Sequence, residues 1–319
     1  MTISNEQYQA AHETAVFIDR SALGVLKFTG DSRLDLIHRM STQAVNGLGS
    51  GEGVATILTT EIARIIDRLI LYASSNSVYA LTSENNGDNI ARYLMGFVFF
   101  NDDFRIEDLS QETAVFGVYG VQAKAKLVEA GFPDEELSLH HWRQVELDGK
   151  TLYLHKTDPV AGDGYFVMCM AADKTAVYDL LQSAGILEIN EAAFEALRIE
   201  AGLPRIGSEM NQAYIPLEAG LWDDVSFNKG CYIGQEIIAR MESRGRVPKK
   251  LTRLKSQMTL STDSELQANG SRAGTITSAA QLPDGHVALG YVRTTVLNNG
   301  DPLMVEEMAV EIVSKESTN

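Results

Sequence analysis

The chain has 319 residues, of which 45% are hydrophobic, 22% charged and 8% aromatic, a composition that fills an apolar core and excludes disorder and collagen-like repeats. Its 27 Lys and Arg against 43 Asp and Glu leave a formal charge of −16. That sign repels phosphate backbones and disfavours direct nucleic-acid binding.

At about 150 residues per domain, the length implies roughly two domains. Gly24–Gly30, Val54–Thr60, Ile65–Ala73 and Ser77–Ser83 read as strands, because apolar and β-branched residues dominate each run. The loop Gly47–Gly53 fails the GxGxxG pattern, since Glu52 stands at the third-glycine position and a strand follows. Ile90 and Leu94 before Gly96 mark an amphipathic helix whose glycine suits a left-handed cap. Thr113–Gly120 predicts another strand, and the helix over AKAKLVEA stops at Gly131. Asp148-Gly149 joins two alternating segments as a hairpin turn. The Gly-Lys-Thr beside it is no phosphate loop, because Gln144 occupies the place of the required first glycine. Tyr165–Ala171 is a strand carrying Cys169, and Val177, Leu180 and Leu181 form a helix face before Gly185. The mixture is α+β rather than alternating βαβ.

The sharpest local feature is Lys229-Gly230-Cys231-Tyr232-Ile233-Gly234-Gln235-Glu236. Ile233, Ile237 and Met241 recur at helical spacing, so a helix opening near Gly234 would leave Cys231 in the turn before it. A helix N-terminus and the Lys229 ammonium both favour thiolate at an accessible Cys231, whereas a buried free cysteine would be inert. Glu236 and Arg240 have the spacing of a surface ion pair. From Arg240 to Lys255 seven basic residues face one acid, Glu242, which makes either a docking surface for an anion or a solvated basic face. Trp222, Tyr214 and Tyr232 lie near the cysteine turn and could line a ligand or simply pack. Beyond Pro248, at least four short strands within Leu251–Val313 predict a small antiparallel barrel or sandwich, giving domains 1–247 and 248–319. Two cysteines make no disulfide framework, and no 18-residue apolar span or basic apolar leader occurs. The expectation is a cytoplasmic protein without a membrane partner.

The pattern F-x-K-G-C-Y-x-G-Q-E-x-x-A-R, Phe227 to Arg240, resembles the signature of the YgfZ family, relatives of the glycine-cleavage T-protein, an aminomethyltransferase. Leu197–Gly202, Pro204 and Pro216–Leu221 resemble the T-protein segment before its folate-contacting basic residue. Gly24, Gly30-Asp31 and Ser41-Thr42 resemble the family's opening strand and helix, and Gly274–Ser278 and Ala288–Tyr291 its C-terminal barrel.

The resemblance implies two interlocked ferredoxin-like parts around a central hole that holds tetrahydrofolate, plus the barrel. It matches Glu200 to a pterin-binding glutamate and Lys229 to a folate-contacting arginine. Gly230, Tyr232, Gly234, Gln235, Glu236 and Arg240 support the motif. T-proteins carry an acidic pair after Gly-Gly; here the segment Ala63–Arg68 leaves one acid, Asp67, for a folate role. Pro159 replaces a T-protein tyrosine, which weighs against aminomethyl transfer. The resemblance thus implies a folate-dependent protein that supports synthesis or repair of iron–sulfur enzymes through Cys231, with those enzymes or their assembly proteins as partners. A one-carbon transferase is the alternative, and a binding module using residues 240–255 the third reading. The family's connection with tRNA modification would then be indirect, through iron–sulfur enzymes.

Overall fold

The computed structural model describes residues 3–313. The first part contains α1 (Asn5–Glu13), β1 (Val16–Asp19), β2 (Leu23–Thr29), α2 (Arg33–Met40), β3 (Gly53–Thr59), β4 (Ile65–Ala73), β5 (Ser77–Glu84), α3 (Gly87–Met95) and β6 (Arg105–Asp108). The second contains β7 (Thr113–Gly120), α4 (Ala123–Glu129), β8 (Trp142–Leu147), β9 (Lys150–Lys156), β10 (Asp163–Met170), α5 (Lys174–Ser183), β11 (Leu187–Glu188) and α6 (Glu191–Ala201). After a long irregular stretch come α7 (Gln235–Ser243), β12 (Lys249–Ser256), β13 (Glu265–Ala268), β14 (Ser271–Leu282), β15 (Gly285–Arg293), α8 (Thr294–Asn299), β16 (Leu303–Val305) and β17 (Met308–Val313).

The strands form a five-stranded sheet, β3-β4-β5-β2-β6, a six-stranded sheet, β11-β1-β7-β10-β9-β8, and a closed barrel, β12-β15-β14-β13-β16-β17. Strand β1 interlocks the two sheets: it precedes β2 in the chain yet pairs with β7 and β11 of the other sheet. Each sheet has an outer face covered by its own helices. Leu26, Phe28, Leu69 and Leu71 pack with Leu36, Ile37, Ile90 and Leu94 of α2 and α3. Phe116, Val118, Leu154 and Val167 pack with Leu127 and Leu181 of α4 and α5. The alternation of side chains along a strand turns the intervening residues inward. Val25, Ile70, Tyr72, Leu81, Val115, Phe166 and Met168 therefore share a third core with Phe194 and Leu197 of α6 and Leu289 of the barrel.

The six strand readings agree with β2, β3, β4, β5, β7 and β10 to within two residues at each end. Asp148 and Gly149 both have positive φ, 49° and 73°, as a two-residue I′ hairpin between β8 and β9 requires. Gly96 differs from expectation: it ends α3 with φ −66°, a right-handed conformation, so its lack of a side chain is not needed for a left-handed cap. The barrel is fastened to α6 by a buried cluster. Arg198 donates to Glu195 at 2.6 Å, Glu209 at 3.0 Å and Ser278 of β14 at 2.9 Å. Tyr291 of β15 donates to the Glu209 carbonyl at 2.7 Å.

Candidate functional site: the central cavity

Between the inner faces of the two sheets, α6, the segment after it and, for the second, the barrel strands β12, β15 and β17 lie three adjoining hollows of about 350, 510 and 170 Å³. Arg68 is in the wall of all three. Its Nε donates to Asp224 at 2.6 Å and its Nη1 to Asp158 at 2.8 Å, so one guanidinium holds two carboxylates. Burial alone would push Asp158 up, but Arg68 outweighs it and the carboxyl sits below its ordinary range. Neither acid is free to act as a base while this fork is intact.

Arg20 supplies a second guanidinium to two of the hollows. It pairs with Glu84 at 2.9 Å and lies 4.3 Å above the Phe194 ring centroid, while its buried Nε has no hydrogen-bond partner among the described residues. Arg205, at the same wall, is held by Glu84, Glu191 and Glu195. Tyr119, Phe166 and Phe194 add ring faces. Aromatic faces beside guanidinium groups suit a flat ligand with an acceptor or anionic edge.

The residues singled out from the sequence do not converge on this cavity. Asp67 is fully buried on the outer face of β4 and accepts from Ser83 N at 3.2 Å, Ser83 Oγ at 2.9 Å and Asn86 Nδ2 at 2.8 Å. Burial raises its pKa against those hydrogen bonds. Glu200 lines none of the three hollows. Its carboxylate accepts from Tyr8 at 2.7 Å and meets His12 Nε2 at 3.0 Å, which ties the end of α6 to α1.

Lys229 is turned inward. Its ammonium donates to the carbonyls of His38, Ser41, at 2.6 Å, and Gln43, at 2.9 Å, closing the C-terminus of α2 and the turn beyond it. Burial lowers its pKa to about 8. Tyr232 is buried with Ile238 and Val247, and its ring lies 4.9 Å from the Lys229 ammonium. Cys231 is exposed in the turn before α7 and, like Gly230, lines none of the three hollows. Gly234 has φ +85° and lies so close to Thr59 and Thr60 that a Cβ would fall 2.7 Å from the Thr59 hydroxyl. Gln235 opens α7, its N–H donating to the Tyr232 carbonyl at 3.3 Å. Glu236 and Arg240 are exposed, and no ion pair joins them among the described residues.

The aromatic residues near the motif also part company: Tyr214 stacks on Tyr291 at 3.6 Å, whereas Trp222 leans on Phe227 at 6.0 Å. The basic segment divides as well. Arg240, Arg244 and Arg246 are exposed, but Lys249 lies over Tyr214 at 4.2 Å, Arg253 donates to the Glu200 carbonyl at 3.1 Å and Lys255 pairs with Asp284 at 2.8 Å. Arg20, Arg68, Asp158 and Asp224 are the wall residues that motif reading missed. One signal was present, since Arg68, Ile70 and Tyr72 alternate with Asp67, Leu69 and Leu71 along β4.

No helix among the described residues is long and apolar enough to cross a membrane. The sequence pattern of the GCVT N-terminal domain matches residues 1–229. A chloroplastic protein of Arabidopsis thaliana that carries a transferase name is 27% identical over 98% of this chain and 73% of its own length. The aminomethyltransferase of Halalkalibacterium halodurans is 25% identical over 97% of this chain and 87% of its own. The crystal structure of glycine cleavage system aminomethyltransferase T from Bartonella henselae superimposes with a TM-score of 0.86 at 22% identity, covering 97% of this chain and 88% of that one. Two interlocked α+β parts, a closed C-terminal barrel and the match over residues 1–229 place the chain in the GCVT N-terminal domain family.

Proposed function

We propose that the chain binds a tetrahydrofolate in the central cavity and, as a YgfZ-like protein of the cytoplasm, supports iron–sulfur enzymes through the exposed thiol of Cys231. In this reading residues 1–247 carry the cofactor and residues 248–319 close the structure behind it. The observation that carries it is the Arg68 wall. A guanidinium clamped by Asp158 and Asp224, with Arg20 and the rings of Tyr119, Phe166 and Phe194 nearby, suits a flat heterocycle with an anionic tail better than it suits proton abstraction. The exposure of Cys231 outside the cavity wall supports a thiol that meets a protein partner rather than the bound cofactor.

The similarity to aminomethyltransferases favours a second reading, folate-dependent one-carbon transfer, in which Asp158 or Asp224 is released from Arg68 when substrate arrives.

Equilibrium binding of mono- and polyglutamyl tetrahydrofolate to the wild type and to Arg68→Ala, Glu200→Ala and Cys231→Ala tests the proposal. Folate is expected to bind the wild type and Cys231→Ala alike and Arg68→Ala at least about tenfold more weakly. The response of Glu200→Ala separates a pterin contact from an anchor for α1. Absence of binding at every tail length would refute the folate reading, and full iron–sulfur enzyme activity in a deletion strain carrying Cys231→Ser would refute the thiol. Turnover of an aminomethyl donor to methylenetetrahydrofolate in a coupled assay would establish the second reading.

A further inference from the structure

Where the end of α7 and the turn beyond it meet the start of α8, an open hollow of about 760 Å³ lies beside the barrel. Arg244, Arg246, Thr294, Thr295 and Asn298 form its polar wall, and Met241, Val247 and Pro248 give it an apolar side. None of these residues lines the three hollows around Arg68. The corner is held by Thr294, whose N–H donates to the Pro248 carbonyl at 2.9 Å and whose hydroxyl donates to the Val247 carbonyl at 2.5 Å.

The charge here is of one sign. No carboxylate lines the hollow, and Glu242, the one acid between Arg240 and Lys255, is exposed outside it. Every other arginine of the chain has its guanidinium on a carboxylate or, for Arg33 and Arg253, on a carbonyl. Among the described residues only Arg240, Arg244, Arg246 and Arg293 have neither partner. These four gather at this corner: Arg240 stands one helical turn before Arg244, and Arg293 precedes Thr294 and lies opposite Lys249 in the barrel. In a chain of 43 acids and 27 bases carboxylates are in excess, so four unpaired guanidiniums in one place reverse the local field. Repulsion among them is relieved by an anion from outside. Arg244, Arg246, Thr295 and Asn298 are all exposed, so their donors are open to a ligand.

We infer that this hollow binds a small organic phosphate, with the Arg244 and Arg246 forks on the phosphate oxygens, Thr295 and Asn298 as further donors, and the organic body against Met241, Val247 and Pro248. Two guanidiniums suit a group with three acceptor oxygens and nearly two charges better than a single carboxylate. Compactness follows from the charge of the whole chain: a long nucleic acid would run on over a surface that sums to −16, whereas a small anion within a Debye length of about 8 Å meets the arginines first. The inference does not depend on folate binding in the central cavity.

Phenyl phosphate, dianionic at pH 8, is the probe, titrated against the full chain by saturation-transfer NMR of its ring protons and by its phosphorus shift. Saturable binding is expected, weakened at least about fivefold between about 0.05 M and about 0.5 M salt. The double variant Arg244→Gln/Arg246→Gln removes two exposed side chains without partners, so its melting temperature is expected to be unchanged and its affinity at least about tenfold lower. Arg92→Gln/Arg105→Gln, which removes the same charge from exposed positions on α3 and β6, is expected to bind as wild type does. Phenylacetate and inorganic phosphate are each expected to bind at least about threefold more weakly than phenyl phosphate. No saturable binding overturns the proposal, and so does binding that survives in Arg244→Gln/Arg246→Gln, which would put the probe in another cavity. Equal binding of phenylacetate or inorganic phosphate also overturns it, as does an RNA decamer that binds at least about tenfold more tightly than phenyl phosphate.

Discussion

Asp67 and Arg68 are consecutive on β4 and serve opposite faces of one sheet: the carboxylate is buried against Ser83 and Asn86 on the helix side, and the guanidinium grips Asp158 and Asp224 in the central cavity. Substitution Arg68→Asp would gather three carboxylates at one wall. Its expected effect is a loss of about 3 kcal/mol or more in unfolding free energy at pH 8. The pH dependence should also reverse. In the wild type Asp158 is held below its ordinary range, so its contribution is present above the unfolded carboxylate pKa and fades as pH falls through the folded one. In the variant like charges raise the folded pKa values, so stability is best in acid and declines as pH rises. Urea unfolding from pH 4 to 8 measures both slopes.

Removing Asp67 itself should damage the fold and spare the cavity. Asp67→Ala leaves the Ser83 and Asn86 donors without an acceptor, at a cost of about 2 kcal/mol. Ligand affinity of the folded variant, measured by calorimetry, is expected to match the wild type.

The Lys229 ammonium braces three carbonyls, and Lys229→Met should cost about 2 kcal/mol in unfolding free energy at neutral pH. Because burial depresses this lysine to about 8, below its usual 10.5, the folded state binds fewer protons than the unfolded one between those values. Wild-type stability therefore gains from this group as pH rises through that window, and the gain should be absent from Lys229→Met.

The contact between His12 and Glu200 predicts the opposite slope. Its hydrogen bond to Glu200 raises the His12 pKa above 6.5 despite the opposing effect of burial. Its contribution is complete below the unfolded histidine pKa and vanishes as pH rises through the raised value. An NMR titration of the His12 ring should return it towards its usual pKa in Glu200→Gln.

The two thiols should separate cleanly. Cys169 is 1% exposed and burial pushes its pKa to about 11, whereas Cys231 is exposed. An aromatic disulfide reagent at pH 8 should titrate one thiol in the native protein, none in Cys231→Ser, and two in wild type after denaturation.

Much of the fold was legible because its signals are local. Runs rich in apolar and β-branched residues identified β4 and β7 to the residue, the Asp148-Gly149 pair placed a hairpin, and short strands after Pro248 announced a small barrel or sandwich. The irregular stretch from Gly202 to Gly234 carries no period, so nothing local showed that it returns Asp224 to Arg68, 156 residues apart in the chain. Lys229 and Glu200 rest on a match of position to the T-protein motif, and position in a motif does not show that carbonyls from α2 and side chains from α1 engage them. Cys231 was located correctly relative to α7 because a helix start is itself a local signal.

Arg198 joins Glu195 on its own helix to Glu209 and to Ser278 of the barrel, all away from solvent. Pulling the barrel off would strand a cation and two anions in apolar surroundings, so the joint has no cheap intermediate opening. The last third of the chain should melt together with the sheets in a single calorimetric transition, and a truncation before Lys249 should fail to accumulate as a soluble core.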